Sequence, residues 1–481
     1  MAGSRNDAQG PGARLDALPW SRWHLVLTVV LGVAWLFDAF EVNVVGSVVA
    51  VVERLWHLST VQSASVVSLW LIGIMVGAIA FGYLADRFGR KRLFQLTLAM
   101  YAVFTILTAF SWNYPSLLIW RFLTALGVGA EYSCINAAIG EFVPRRARGT
   151  ATAAVINFWS IGALLAAGVS AIFLATLPPV LGWRLGFGVG AVAALIFAWA
   201  RRFVPESPRW LWVKGRRAEA RRVVAEIEAA SGGRGKGARP PAAGPPAGSA
   251  PALQATFWRD VRVLFRRYPG RVALGALLDV SEAFGYYGLF AFAPLVIFPA
   301  VHIPAARIPV LFVYGDIGAL CGGAAMLAVF DRWGRKRTVP LAYGLTALSI
   351  GLLAWATATG QASAVLWSFI VVNFCGTAAW MSAYPTFAEI FPTELRSTGI
   401  GVSVGCGRVA AAIAPVLLTA VAARAGVGAA YWLVAGFWCI GVLAMIPWCV
   451  FGPEGAGASL EELVRPRALA TRHGVGATSD G

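Results

Sequence analysis

The sequence predicts an all-α membrane protein with twelve transmembrane helices in two six-helix bundles, and three observations lead there. The first is composition. Of 481 residues, 58% are hydrophobic and only 13% charged, whereas a soluble chain carries about a quarter charged residues; the mean hydropathy is +0.69. The second is run length. Apolar stretches of about 20 residues recur, the length a helix needs to cross a hydrocarbon core of ~30 Å. The ~10-residue alternating segments of a transmembrane barrel are absent. The third is repetition. Gly82-Tyr83-Leu84-Ala85-Asp86-Arg87-Phe88-Gly89-Arg90-Lys91-Arg92 puts five charges in seven residues between two apolar runs, and Asp331-Arg332-Trp333-Gly334-Arg335-Lys336-Arg337 does so again. One basic hinge per half marks a chain built twice.

The spans fall at 23–50, 63–85, 92–111, 116–138, 150–172 and 182–204, then at 270–298, 306–329, 337–358, 361–384, 397–421 and 428–451. Residues 1–22 form a polar tail, 23–204 the first bundle, 205–269 a central loop, 270–451 the second bundle and 452–481 a second tail. Charge sets the topology, because loops rich in Lys and Arg stay cytoplasmic. One side collects Arg5, Arg14, Arg22, the 87–92 cluster, Arg145, Arg146, Arg148, the central loop, the 332–337 cluster, Arg396, Arg465, Arg467 and Arg472; the other holds little beyond Arg54, Arg184, Arg307 and Arg424. Both termini and the central loop are therefore expected in the cytoplasm, with the protein in the plasma membrane. Within the loop, 218–230 reads as an amphipathic surface helix with Val223, Val224 and Ile227 on one face. Residues 231–251 are rich in Gly, Pro, Ala and Ser and read as a flexible linker.

The two halves agree in detail. Glu141-Phe142-Val143-Pro144 with Arg148 follows the fourth span, and Glu389-Ile390-Phe391-Pro392 with Arg396 follows the tenth, at identical spacing. The first span carries Asp38 and Glu41; the seventh carries Asp279 and Glu282, again three apart. Six spans per half is an even number, so the copies share one orientation and are related by an axis along the membrane normal.

These motifs resemble the major facilitator superfamily over nearly the whole chain. The 82–92 loop matches that superfamily's loop signature. Pro205 to Leu211, Glu141 to Arg148, Glu389 to Arg396, and Gly452-Pro453-Glu454 with Ser459-Leu460-Glu461-Glu462-Leu463 resemble the sugar-porter branch. Two spans pull away from true sugar porters. The seventh reads Asp279-Val280-Ser281-Glu282-Ala283-Phe284-Gly285-Tyr286-Tyr287-Gly288 and lacks the glutamine pair those proteins use on sugar hydroxyls. The first reads Phe37-Asp38-Ala39-Phe40-Glu41. Both are more similar to the aromatic-acid and nicotinate permease groups and the synaptic-vesicle-glycoprotein-like relatives.

A charge at the centre of a span costs about 2.5–3.5 kcal/mol on insertion scales, so buried charges mark candidate chemistry. They are Asp38 and Glu41, Arg121 and Glu131 in the fourth span, Asp279 and Glu282, Asp316 in the eighth and Arg408 in the eleventh. At 1.5 Å per residue, Glu41 lies ~14 Å deep and Arg121 ~8 Å deep from the same surface, within an arginine's reach. Glu41, or Asp38 one turn deeper, is the candidate proton site, with Arg121 as its switchable partner; the resemblance implies the same pairing. The bland alternative is a static ion pair. Asp279 and Glu282 are candidates for substrate or cation contact, and Asp316 and Arg408 for a mutual pair. Asn157, Trp159, Tyr286, Tyr287, Asn373, Trp380 and Tyr384 supply aromatic and amide groups suited to a small organic solute.

The basic hinges have a separate logic. Gly77 and Gly82 let neighbouring backbones approach, and Asp86 suits the positive start of the next helix. Arg87, Arg90, Lys91 and Arg92 are expected to clamp Glu141 and Glu206. The mirrored set is Asp331, Arg332 and Arg335 with Glu389 and the acidic pair Glu461 and Glu462. Such a latch favours the outward-facing state and breaks as the protein opens inward.

The function expected is secondary active transport of a small organic solute, an organic or aromatic acid before a sugar, by proton symport and alternating access. A sugar:proton symporter, a proton-coupled drug efflux antiporter and a non-transporting receptor are the alternatives. No Ser-His-Asp set, Walker loop or metal cluster argues for an enzyme or for ATP-driven transport, and no cofactor is implied. The net charge of +17 sits in loops that orient the protein, so nucleic acid is not the expected partner. The six cysteines are scattered through apolar segments without metal or disulfide spacing. A monomer is expected.

Overall fold

The computed structural model describes residues 10–201, 204–232, 257–303, 307–456, 458, 460 and 463. The linker beyond residue 232, Glu461, Glu462 and the arginines of the final tail lie outside them. A short helix, α1 (Pro11–Asp16), precedes the first bundle of α2 (Arg22–Trp56), α3 (Thr60–Phe88), α4 (Arg90–Ala109), α5 (Tyr114–Phe142), α6 (Arg148–Thr176) and α7 (Pro179–Arg201). The central loop holds α8 (Pro208–Val213), α9 (Arg217–Ala230) and α10 (Phe257–Arg267). The second bundle is α11 (Pro269–Phe292), α12 (Ile308–Trp333), α13 (Arg335–Ala358), α14 (Ala362–Ile390), α15 (Arg396–Ala425) and α16 (Val427–Phe451). Ten of the described helices are long and apolar enough to cross a membrane.

Local chemistry sets the helix ends. Ser59 and Gln62 cap α3 reciprocally, and Asn113 with Ser116 does the same for α5, each pair satisfying otherwise orphaned N–H groups. Gly89 and Gly334 separate α3 from α4 and α12 from α13, with φ of 102° and 80°. That region strains any residue carrying a Cβ, which explains why both hinges place glycine there.

The halves pack identically. In the first, α2 lies against α6 and α7, α3 against α5, and α4 against α5 and α7. In the second, α11 lies against α15 and α16, α12 against α14, and α13 against α14 and α16. Between halves, α3 meets α15 and α6 meets α12, the two contacts that a twofold relation generates. The α3–α15 seam is tight. A Cβ on Gly82 would fall 2.6 Å from the Ser397 carbonyl oxygen, so only glycine permits this approach. Gly77 plays the same part inside the first bundle, against the backbone of Leu126.

The amphipathic stretch of the central loop is α9, which buries Val223, Val224 and Ile227. Two features go beyond the sequence reading. The N-terminal tail is docked: Leu15 and Leu18 are buried, and α1 packs against α8 and α9. The end of the central loop is a helix, α10, immediately ahead of α11.

Candidate functional site

Three groups of buried polar side chains stand out, and the first is the ion pair on α2 and α5. Glu41 accepts from Arg121 Nη1, and the two side chains are 0% and 1% exposed. The guanidinium carbon of Arg121 lies 3.7 Å from the centre of the Trp70 ring and 5.3 Å from that of Phe187, a cation–π cradle. Glu41 Oε2 and Arg121 Nε and Nη2 have no hydrogen-bond partner among the described residues. A buried pair with spare valences is poorly compensated for its dehydration. Asp38 lies one turn away and is also buried, near enough to Tyr101 and Tyr132 for its charge to act on both.

The second group lies where the bundles meet. Trp159 of α6 and Trp380 of α14 stand edge to face with ring centres 4.9 Å apart. Trp35 contacts Tyr132 at 4.8 Å and Tyr384 at 5.8 Å, and Tyr286 lies 5.2 Å from Trp380 and 5.4 Å from Tyr287. Arg408 of α15 enters this cage from the side. Its guanidinium carbon is 4.9 Å from the Tyr132 ring and 5.1 Å from the Tyr287 ring, and Nη2 donates to Tyr384 Oη at 3.2 Å. Nε and Nη1 have no hydrogen-bond partner among the described residues, although Arg408 is 1% exposed.

Asp279 and Glu282 are buried on α11 within electrostatic reach of Arg408. The expected Asp316–Arg408 pair does not form. Arg408 turns to the aromatic cage and Asp279, while Asp316, partly exposed on α12, faces Tyr286. Opposite charges on two helices of the same half suggest the pairing; the azimuth of each residue around its helix decides against it. Asn157 packs against Gly323 of α12 across the bundle boundary. Asn373 donates to its own helix at Phe369 O, 2.9 Å away, and lines a cavity of about 20 Å³ with Tyr286, Phe290 and Trp438, room for about one water.

The third group closes the end that carries the basic hinges. Asp86 accepts from Ser397 N at 3.3 Å, Thr398 N at 2.8 Å and Thr398 Oγ1 at 2.7 Å. Asp331 accepts from Thr150 N at 2.6 Å and Thr150 Oγ1 at 2.7 Å. Each aspartate thus caps a helix of the opposite bundle, α15 or α6, not the next helix in its own. The next helices are capped instead by glutamates. Glu206 accepts from Arg90 N at 2.9 Å, and from Lys91 N at 3.3 Å; Glu454 accepts from Arg335 N at 2.8 Å and Lys336 N at 3.2 Å.

Arg90 reaches Asp86 at 2.9 Å and Glu141 at 3.0 Å, and Arg396 from the other bundle reaches the same Glu141 oxygen at 3.0 Å. Arg335 holds Glu389 through two bonds of 2.8 and 2.6 Å and Asp331 at 2.7 Å. Arg148 goes to Asp16 of α1 at 2.8 Å, as does Arg209. Arg87 and Arg332 do not join the clamp. Both are exposed, and Arg87 donates to its neighbour Tyr83 Oη at 3.2 Å. Both residues lie three positions before a buried arginine, Arg90 or Arg335, which takes the inward place. Among the described residues Lys91 takes part through its backbone alone, and Arg92 is exposed and pairs with neither Glu141 nor Glu206.

Sequence reading passed over several members of these groups. The sequence offers Arg408 only as a partner for Asp316, and gives Trp35, Tyr132, Asp16, Arg209 and Glu454 no part. Two had a signal. Pro205-Glu206 is repeated as Pro453-Glu454, and Arg148-Gly149-Thr150 as Arg396-Ser397-Thr398. Asp16 had none.

Two six-helix bundles packed alike, with buried charges at their interface and a closed end, define a membrane transporter of small molecules. The chain belongs to the sugar (and other) transporter family, whose model matches residues 26–465, within the major facilitator fold. It is 28% identical over 416 residues to the niacin transporter NiaP of Acinetobacter baylyi, covering 85% of this chain and 89% of that protein. It is 25% identical to the synaptic vesicle 2-related protein of Bos taurus, covering 83% of this chain and 74% of that one. The solved structure of the proton:xylose symporter XylE bound to 6-bromo-6-deoxy-D-glucose shares the fold with a TM-score of 0.75 at 20% identity, covering 92% of this chain and 98% of XylE.

Proposed function

We propose that this transporter is a proton symporter for a small aromatic organic acid, with both termini and the central loop on the cytoplasmic side of the plasma membrane. The observation that carries the reading is Arg408. It is a buried guanidinium with two nitrogens left without acceptors among the described residues, walled by Tyr132, Tyr287 and Tyr384 where the bundles meet. A carboxylate supplies the acceptors such a group lacks, and the flat faces of Trp159, Trp380 and Tyr286 suit an aromatic ring. The niacin transporter among the relatives handles a solute of this chemistry.

Glu41 is the proton site. Paired with ionised Glu41, Arg121 is held on α2. When a proton adds to the Glu41 carboxylate, the Coulomb attraction vanishes and Arg121 keeps only its aromatic cradle, so α2 and α5 are free to shift. The latch of Asp86, Glu141, Asp331 and Glu389 holds the cytoplasmic end shut until that shift. Asp279 and Glu282 tune the charge around Arg408, and an acid arriving at Arg408 displaces the influence of Asp279. One polypeptide contains every group invoked, so a monomer suffices.

Uptake by proteoliposomes containing the purified protein tests this. Nicotinate and benzoate are expected to accumulate when the outer medium is the more acidic, and nicotinamide, which lacks the charge, is not. Arg408→Gln should lower uptake about 100-fold, the effect of removing one partner of a buried charged pair. Glu41→Gln should abolish uphill accumulation while leaving exchange of acid across the membrane. Accumulation of sugars alone would overturn the reading.

A further inference from the structure

We infer that α10 is an in-plane anchor that binds the anionic headgroups of the membrane leaflet at the latched end. Its eleven residues, Phe257-Trp258-Arg259-Asp260-Val261-Arg262-Val263-Leu264-Phe265-Arg266-Arg267, sort into three edges at 3.6 residues per turn. One edge faces the protein. Leu264 is fully buried, and Phe257 stands edge to face with Tyr83 of α3 at 5.3 Å. The next edge carries Trp258, 76% exposed, and Phe265, 53% exposed. Seven residues apart, they point the same way. The remaining edge carries Arg259, Arg262 and Arg266, all exposed, with Arg267 beyond them. The helix has one acid, Asp260, against these four arginines.

The position supplies the occupant. Only Tyr268 separates α10 from Pro269, the first residue of the membrane-spanning α11, and α10 also rests on α15. It therefore lies at the boundary of the hydrocarbon, where no part of the described chain covers Trp258 or Phe265. A helix with an aromatic edge beside an arginine edge suits the membrane interface: the rings enter the acyl boundary and the guanidinium groups meet phosphates. An excess of three positive charges selects anionic over zwitterionic lipid. This inference is independent of the substrate. It also ties the lipid to the latch, because α3 and α15, against which α10 leans, are the helices joined by Asp86.

The test uses the full-length protein. Retained phosphatidylglycerol and phosphatidylcholine are counted by native mass spectrometry, and amide exchange of residues 257–267 is followed in nanodiscs with and without phosphatidylglycerol. Wild-type protein is expected to retain phosphatidylglycerol preferentially and to exchange more slowly when it is present. The triple variant Arg259→Gln, Arg262→Gln, Arg266→Gln should lower that retention at least about tenfold and lose the lipid-dependent slowing. Trp258→Ala with Phe265→Ala should speed exchange in both kinds of nanodisc. Folding of both variants is checked by thermal unfolding in detergent, which is expected to match wild type. Equal retention of the two lipids by wild type, or exchange indifferent to phosphatidylglycerol, would overturn the inference. So would slowing reproduced by inorganic phosphate in phosphatidylcholine nanodiscs, which would indicate a soluble-anion site.

Discussion

The two basic hinges come from one duplicated sequence, yet they hold the molecule in different ways. Both use an aspartate to cap a helix of the opposite bundle and a glutamate to cap the helix after a positive-φ glycine. Their buried glutamates differ. One oxygen of Glu141 is shared by Arg90 of its own bundle and Arg396 of the other, whereas Glu389 is held twice by Arg335 within its own bundle. The mirror partner of Arg396 is Arg148, and it does not reach Glu389; Asp16 neutralises it instead. Dehydration differs as well, with the side chain of Asp86 3% exposed and that of Asp331 13%. The first hinge therefore bears the load between bundles, and the second is closer to self-contained. Duplication copies the contacts a helix end can make, but the surrounding chain decides which of them form.

The largest expected break in this comparison is at Glu141. Glu141→Gln leaves the buried guanidinium of Arg396 without a counter-charge and Arg90 with Asp86 alone, a loss of about 3–5 kcal/mol by the usual cost of breaking a buried pair. Glu389→Gln should cost roughly half as much, because Arg335 keeps Asp331. Thermal unfolding of the two variants in detergent measures the difference, and equal losses would erase the asymmetry. Asp16→Asn comes next, at about 1–3 kcal/mol for the unmade charged hydrogen bonds of Arg148 and Arg209. It should also loosen α1, measurable as faster amide exchange over residues 11–18. Among the described residues none plays this part in the second half.

Smaller effects belong to the cross-bundle caps. Asp86→Asn and Asp331→Asn should each favour the state opened at the latched end by about 0.5–2 kcal/mol, the range for a lost helix cap. The larger value is expected for the drier Asp86. Labelling of cysteines introduced along the α3–α15 and α6–α12 seams reads out that opening. If Asp331→Asn proved the stronger, the load would lie on the other hinge.

The smallest effect is in pH. Burial pushes the Glu206 carboxyl above its ordinary value of 4.5, despite the N–H groups of Ser207, Lys91 and Arg90 and the charge of Arg90. Partial burial pushes Glu454 the same way, but the N–H groups of Ala456, Arg335 and Lys336 outweigh it and hold this carboxyl below 4.5. A raised carboxyl contributes stability that is present below 4.5 and lost as pH rises through its folded value; a depressed one contributes above 4.5 and loses that as pH falls through its folded value. Glu206→Gln is therefore expected to cost nothing at neutral pH. Glu454→Gln should cost stability there and converge with wild type in acid. Melting curves across the acid range test both.

Much of the fold is written in patterns that need no partner to be read. Apolar runs count the spans, loop charges orient them, and the repeated Gly-Arg-Lys-Arg hinges with Glu141 and Glu389 reveal the duplication. Glu41 and Arg121 were also legible, because charges are expensive at those depths and their heights could be compared along the helices. Azimuth could not be compared. For that reason the sequence by itself pairs Asp316 with Arg408, assigns Asp86 to the helix following it, and places Arg87 and Arg332 in the clamp.

Sequence alone determined the class, the spans, the twofold design and, Asp316 apart, the charges buried within the spans, since repeats and the local cost of placing a residue in hydrocarbon are written along the chain. Only the tertiary structure decided the pairing: that Asp86 and Asp331 each cap the other bundle, that Asp16 returns to Arg148, and that Arg408 faces an aromatic cage. The physical reason is directional. Burial costs depend on depth, which a chain reports residue by residue, but a hydrogen bond depends on which way two helices turn toward each other.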